Sequence, residues 1–298
     1  MSTQLNLVKI NTAYARFFPA EFLKILNHES IVDVWLGDQT QSEMTVLFLD
    51  IRGFTSISEK MTPKQNFDFL NEFLSYVIPS IRSHSGFIDK YIGDAVMALF
   101  PGEANDAIKA SIAILKQVGL FNELRESQNQ APIAIGIGLH TGSLMLGTIG
   151  DEKRMDGTVI SDAVNLAARL EGLTKTYGAS LVVSDKCFNK LPPDHGYHHR
   201  SLGKIQVQGK NEVVSVIEIV DGDNDQNIEL KKSSLEMFAK ALALYYDHDF
   251  EEAAYTFRQV LKANPDDQTA SLYHHRSATY MVNGVDENWD GTEKMETK

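Results

Sequence analysis

Residues 44–51, MTVLFLDI, form a continuous run, largely apolar, that reaches an aspartate, Asp50, at its end. Such a run reads as a central strand buried on both faces, because a half-buried strand would alternate polar and apolar residues. The rest of the chain must therefore cover both faces of a sheet. Thr62-Pro63 offers an N-cap and a first-turn proline. Phe67, Leu70, Leu74, Val77 and Ile81 then recur at helical spacing, with Pro79 predicting a kink or an early end. FIDKYI and AVMALF are strand-like runs joined by Gly93-Asp94, a hairpin signal. A helix is predicted over EANDAIKASIAILKQVGLFNELRE, followed by a strand pair, IAIGIGLHTG and SLMLGTIG. SDAVNLAARLEGLTKTYG reads as a helix with Ser161 as N-cap and Gly178 near its end. SLVVSD, a short helix around Cys187 and two late strands complete the region. The order β-α-β-β-α-β predicts an α+β, ferredoxin-like core with extra strands over residues 44–220.

The flanks differ in character. Residues 1–43 read as a helical lead-in interrupted by Pro19, either a relay for a partner's signal or a packing extension. Residues 221–232, DGDNDQNIELKK, read as an acidic linker, and residues 233–298 as helices. Ala241, Ala253, Phe257 and Pro265 fall at tetratricopeptide-like positions, a match no better than a generic helical hairpin docked on the main domain. The adjacent pairs His198-His199 and His274-His275 read as surface-loop residues. The chain has 298 residues and a net charge of −12, which argues against a nucleic-acid binder. One cysteine excludes an intrachain disulfide and fits a reducing compartment. Neither a signal peptide nor a membrane span is legible, so a soluble cytoplasmic protein is expected.

The chemistry gathers at strand ends. Asp50 closes the first run and Asp94 sits in the hairpin turn, so an antiparallel core can bring both carboxylates to one edge. Two convergent carboxylates repel unless a cation lies between them, and hard oxygen ligands suit Mg²⁺. Ile-Arg-Gly-Phe-Thr comes directly after Asp50, and successive amides around Gly53 can hold phosphate oxygens. Asn165 and Arg169 share a face of an otherwise apolar helix, and an arginine there suits a phosphate. Each feature alone has a plain alternative: a turn aspartate, a local salt bridge.

Together, LFLDIRGFTSISE, FIDKYIGDAVMALF and TVISDAVNLAARLE resemble the three signature segments of class III nucleotidyl cyclases, the adenylyl and guanylyl cyclases. The lead-in and the tail resemble segments flanking bacterial members. The resemblance implies two Mg²⁺, with Mn²⁺ as a substitute, held by Asp50, Asp94 and the Ile51 carbonyl. It implies that Lys90 and Thr158 read the base, Asn165 orients the ribose and Arg169 stabilises the transition state. The backbone at Ile51, Gly53, Phe54 and Thr55 would meet phosphates. Many relatives carry a triphosphate-binding lysine where this chain has Gln208; either Lys210 substitutes for it or the metals and the backbone after Asp50 hold the phosphates. Lysine as donor and threonine as acceptor complement adenine, whereas guanine would want an acid. ATP is therefore the expected substrate, with cyclic AMP and pyrophosphate as products. The resemblance further implies a homodimer whose two sites each take the aspartates from one copy and the other residues from its partner. A guanylyl cyclase and a non-catalytic cyclase-fold module are the alternatives, the latter disfavoured because all four metal and Asn/Arg positions are filled. His140 reads as a core or strand-end histidine rather than a general base.

Overall fold

The computed structural model describes residues 14, 18–151, 153–206 and 212–294. The apolar run lies inside a longer strand, β1 (Gln39–Ile51), which begins before Met44. Before it stands a short lead-in helix, α1 (Ala20–Ile25). Helices α2 (Phe54–Ser58) and α3 (Pro63–Ser83) come after β1, then the hairpin β2 (Phe87–Ile92) and β3 (Ala95–Phe100). After α4 (Ala104–Ser127) come β4 (Ile135–Asp151), β5 (Arg154–Ile160) and α5 (Asp162–Tyr177). Next are β6 (Leu181–Ser184), α6 (Asp185–Phe188), β7 (His199–Gln206) and β8 (Val213–Ile219). With β9 (Thr292–Lys294) at the far edge, the strands form a nine-stranded sheet ordered β2-β3-β1-β4-β6-β8-β7-β9, and β5 pairs β4. The subset β2-β3-β1-β4 with its helices is the ferredoxin-like core.

Strand alternation divides the core. Leu47, Leu49 and Ile51 point to one side, where Phe73, Val77 and Ile81 of α3 and Ile108 and Phe121 of α4 cover them. Met44, Val46 and Phe48 point to the other, against Ala163 and Ala167 of α5 and Phe22 of α1. Pro19 is the N-cap of α1, and the buried Phe22 makes the lead-in part of the core.

Several expectations give way to packing. The segment 135–151 is one continuous strand and not a pair, because β1 pairs with it along its whole length, from Gln39↔Gly147 to Ile51↔Ile135. Its hairpin partner is β5. Helix α3 runs through Pro79 to Ser83, and its capping box is made by Thr62 and Gln65. Its buried face centres on Phe69, Phe73, Val77 and Ile81, leaving Phe67 exposed. His274 and His275 lie in a helix and His199 begins β7, while His198 lies in the loop before it with Nδ1 2.9 Å from Asp221 Oδ1.

The C-terminal third also departs from expectation. Residues 221–232 are not an extended linker, since helix α7 (Asp225–Tyr246) starts within them and buries Lys231. Helices α8 (Phe250–Ala263) and α9 (Gln268–Asn283) complete the tail. Ala241, Ala253 and Phe257 are buried, and Phe238, Phe257 and Tyr273 pack with Leu166 and Leu170 of α5 and Val182 and Val216 of the sheet. A buried ion network ties the two layers. The Arg200 guanidinium donates to Glu218 at 2.6 Å and to Asp267 at 2.5 Å, while Lys231 Nζ reaches Glu218 at 2.5 Å and Asp223 at 2.6 Å. Arg200→Ala strips a cation from two buried carboxylates and is expected to destabilise the protein by about 3–5 kcal/mol. An unchanged denaturation midpoint would show that the network contributes nothing.

Candidate active site

Strand register builds the first half of the site. Leu49 pairs with Val96 and Asp50 with Gly136, so Asp50 ends β1 beside the turn that carries Asp94. The two carboxyl groups meet: burial first, then a hydrogen bond that the protonated Asp50 donates to Asp94, and the Asp94 negative charge, push the Asp50 carboxyl up to about 7. Two carboxyl groups brought this close fit a divalent metal ion between them, since a cation relieves the repulsion that raises Asp50. Among the described residues no group of three or more His, Cys, Asp or Glu side chains has metal-holding geometry. The acidic side chains brought together at this strand end are the two aspartates, and Ile51 is the next residue of β1. Gly53 takes a left-handed φ of 67° and caps α2. Phe54 stacks on Phe69 at 6.1 Å, so its side chain serves the core and the backbone of Phe54 and Thr55 is what remains for a ligand.

Three further charged residues lie inside the signature segments but were given no role by the sequence. Glu171 lies on the face of α5 turned to the sheet, and burial with the charges of Asp50 and Asp94 pushes its carboxyl up to about 7. Arg52 donates from Nη2 to the Thr174 and Ala179 carbonyls, which ties the end of α5 to the loop after β1. Asp89 is buried beside Lys90, at 3.3 Å from its Nζ. Only adjacency to Lys90 and Asp50 hinted at the last two.

The second cluster comes from the other side of the sheet. Lys90 stands on β2 and Thr158 on β5, strands that never pair, yet Lys90 Nζ lies 3.4 Å from Thr158 Oγ1. The sheet must curl for these edges to meet. The bulge in β2 between Ile88 and Lys90 re-aims the lysine.

The third cluster lies on α5, whose start is fixed by Ser161 Oγ accepting from the Ala163 amide. Asn165 and Arg169 line a cavity of about 300 Å³ with His140, Ser161, Lys186 and Glu212. Arg169 and Glu171 are two residues apart, which places them roughly 200° apart around the helix axis. Glu171 feels the Asp50–Asp94 pair, so Asn165 and Arg169 face away from it within one chain. His140 is buried, shares a hydrogen bond at Nδ1 with Ser184 Oγ at 2.7 Å, and is held down to about 4 by burial and the nearby Lys186 charge. It is a neutral strand histidine, as the sequence suggested. Gln208 and Lys210 lie outside the described residues.

Comparison with known proteins identifies the family. Residues 36–218 match the family described as the adenylate and guanylate cyclase catalytic domain. An adenylate cyclase of Anabaena cylindrica is 39% identical over 219 residues, covering 72% of this chain and 44% of that protein. The terminal-differentiation-specific adenylate cyclase of Dictyostelium discoideum is 33% identical over 273 residues, covering 90% of this chain and 13% of that protein. The chain thus spans less than half the length of either relative. A bacterial light-regulated adenylyl cyclase superposes with a TM-score of 0.64 at 25% identity, over 78% of this chain and 69% of that one. The adenylyl cyclase CyaB from P. aeruginosa gives 0.53 at 30% identity, over 63% and 98%. The guanylyl cyclase Cya2 gives 0.54 at 26% identity, over 63% and 96%. The strand-end aspartates, the helix carrying Asn165 and Arg169 and the match across residues 36–218 lead to one conclusion: the chain belongs to the adenylate and guanylate cyclase catalytic domain family.

Proposed function

We propose that the protein is an adenylyl cyclase that converts ATP to 3′,5′-cyclic AMP and pyrophosphate at two sites shared between two copies of the chain. The observation that carries this reading is the Asp50–Asp94 pair, whose raised Asp50 carboxyl marks a place prepared for a cation. When bound there, two Mg²⁺ (or Mn²⁺) would supply positive charge to the triphosphate and acidify the ribose 3′-hydroxyl.

The chain's own residues do the rest. Backbone amides at Gly53, Phe54 and Thr55 hold phosphate oxygens, with Lys210 as a further candidate. Asn165 orients the ribose so that the 3′ oxygen lies in line with the α-phosphorus. The bond from α-phosphorus to the bridging oxygen breaks as the new ester forms, pyrophosphate leaves, and the hydroxyl proton passes to water. Negative charge builds on the α-phosphate oxygens, where the Arg169 guanidinium is worth most. An ammonium has three donors. Lys90 directs two at Thr158 and Asp89, and this reading gives the third to adenine N1. The Thr158 oxygen accepts from the adenine amino group. Guanine presents the opposite edge and would leave these groups unpaired.

Two features support sharing between copies. Arg169 faces away from the aspartates of its own chain, so a second copy's arginine must serve them. Exposed apolar side chains also gather on the β2 tip and the β4–β5 hairpin: Tyr91, Ile92, Met145, Ile149, Met155 and Ile160. Such a patch fits burial against a second copy. No helix among the described residues is long and apolar enough to cross a membrane, and an ATP substrate with a lone buried cysteine fits a cytoplasmic setting.

The direct test supplies purified protein with ATP and GTP in parallel, with Mg²⁺ or Mn²⁺. Cyclic AMP from ATP is expected, abolished by Asp94→Ala and lowered about 10²–10³-fold in kcat by Arg169→Ala. Cyclic GTP as the main product would overturn the base assignment. Stability should report the same pair. A carboxyl raised from 3.8 to about 7 keeps its proton in the folded state longer than in the unfolded one. Metal-free protein should therefore lose stability as pH rises across that window. Mg²⁺ should raise the melting temperature more above about pH 7 than below it, and Asp94→Asn should flatten the pH dependence. Equal Mg²⁺ shifts on both sides of the window would contradict the pair's role.

A further inference from the structure

The cavity beside Asn165 and Arg169 holds a second cation that no motif accounts for. Lys186 stands on α6, immediately after β6, and lines the same 300 Å³ space as Arg169. Its Nζ lies 2.6 Å from Glu212 Oε1, with about half of each side chain exposed (56% and 43%). An ion pair this exposed is weak and exchanges readily for a better anion. Glu212 stands just after the segment in which Gln208 replaces the lysine of related cyclases. Lys186 thus reaches the end of that segment from a different element.

The cavity floor is built for an acceptor. Ser184 Oγ accepts from the Cys187 amide at 3.2 Å, so its own proton is free for His140 Nδ1 at 2.7 Å. In the tautomer in which Ser184 donates to Nδ1, His140 carries its proton on Nε2, on the side of Gly142, another wall residue. Arg169, Lys186 and a neutral imidazole N–H are three donors around one space. The acids of the walls are Asp162 and Glu212. A polyphosphate chain suits such a donor set, since each cation can meet a different phosphate while the floor adds a neutral hydrogen bond.

We propose that Lys186 is a substrate-positioning residue: it leaves Glu212 to hold the β- and γ-phosphates of the nucleotide whose α-phosphate Arg169 meets, with His140 Nε2 donating from the floor. The proposal rests on the cyclase reading above and supplies the cation missing at Gln208. Glu212 acts as the resting partner that competes with substrate.

Kinetics on the full chain tests it. Lys186→Ala should raise KM for ATP by about tenfold or more while kcat changes little, as loss of a charged hydrogen bond to substrate predicts. Lys186→Arg should restore most of the affinity. Inorganic tripolyphosphate should inhibit the Lys186→Ala variant more weakly than wild type. Glu212→Gln should act in the opposite direction, lowering KM and strengthening tripolyphosphate inhibition. A purely structural Lys186–Glu212 pair predicts that both variants shift the same way, and that result overturns the proposal. So does unchanged tripolyphosphate inhibition in Lys186→Ala. Wild-type protein that forms no cyclic nucleotide removes the cyclase reading instead. Calorimetric binding of tripolyphosphate that is lost in Lys186→Ala would then still uphold the cavity, and its absence would overturn it.

Discussion

Helix α5 lies so close to β4 that the strand can carry no side chains beneath it at Gly136 and Gly138. A Cβ on Gly138 would strike the backbone of Glu171 and Ala167, and one on Gly136 would strike the Thr174 and Glu171 side chains. This contact fixes which way every residue of α5 points. Ala163 and Ala167 seal the sheet, and Glu171 is driven toward Asp50 and Asp94. Leu166 and Leu170 turn to the C-terminal layer. Asn165 and Arg169 are left on the remaining face, beside a cavity and away from their own chain's aspartates. A helix held a few ångströms further out would be free to roll, and none of these assignments would hold.

The same packing explains why the electrostatics are unfavourable until something binds. At Asp50 and Glu171, burial and the negative charge of neighbouring carboxylates oppose ionisation, and Arg52 is the cation beside them. A site for a charged cofactor and a charged substrate is expected to look strained in this way when neither is present. The C-terminal helices carry no comparable strain. Their acids and bases are paired within the Arg200–Glu218–Asp267–Lys231 network, which belongs to structure and not to chemistry.

The central sheet and the site's outline were legible because they are written in local patterns. MTVLFLDI, the Gly93-Asp94 turn and the Ser161-capped helix each carry their own periodicity and stop signals, and each is present. What was missed depends on distant partners. Nothing local says that the segment 135–151 is one strand, since its continuity comes from pairing with β1. The acidic stretch after Val220 reads as linker until Lys231 is seen to neutralise Glu218 and Asp223 in the interior. Phe67 fits the helical spacing of its neighbours but falls outside the arc that the sheet covers. In the site, Lys90 and Thr158 were paired by resemblance alone, because their meeting depends on the curl of the whole sheet. Glu171 and Asp89 sit inside signature segments without an assigned role, Lys186 sits outside them, and only packing reveals what they touch.

If one working site needs two chains, mixing of inactive variants shows it most directly. Asp50→Ala and Arg169→Ala should each be inactive alone. Mixed dimers hold one site with every residue intact, so a mixture should recover up to about a quarter of wild-type cyclic AMP production, the statistical share of intact sites. A mixture that stays inactive although the two variants are shown to assemble would contradict the shared site.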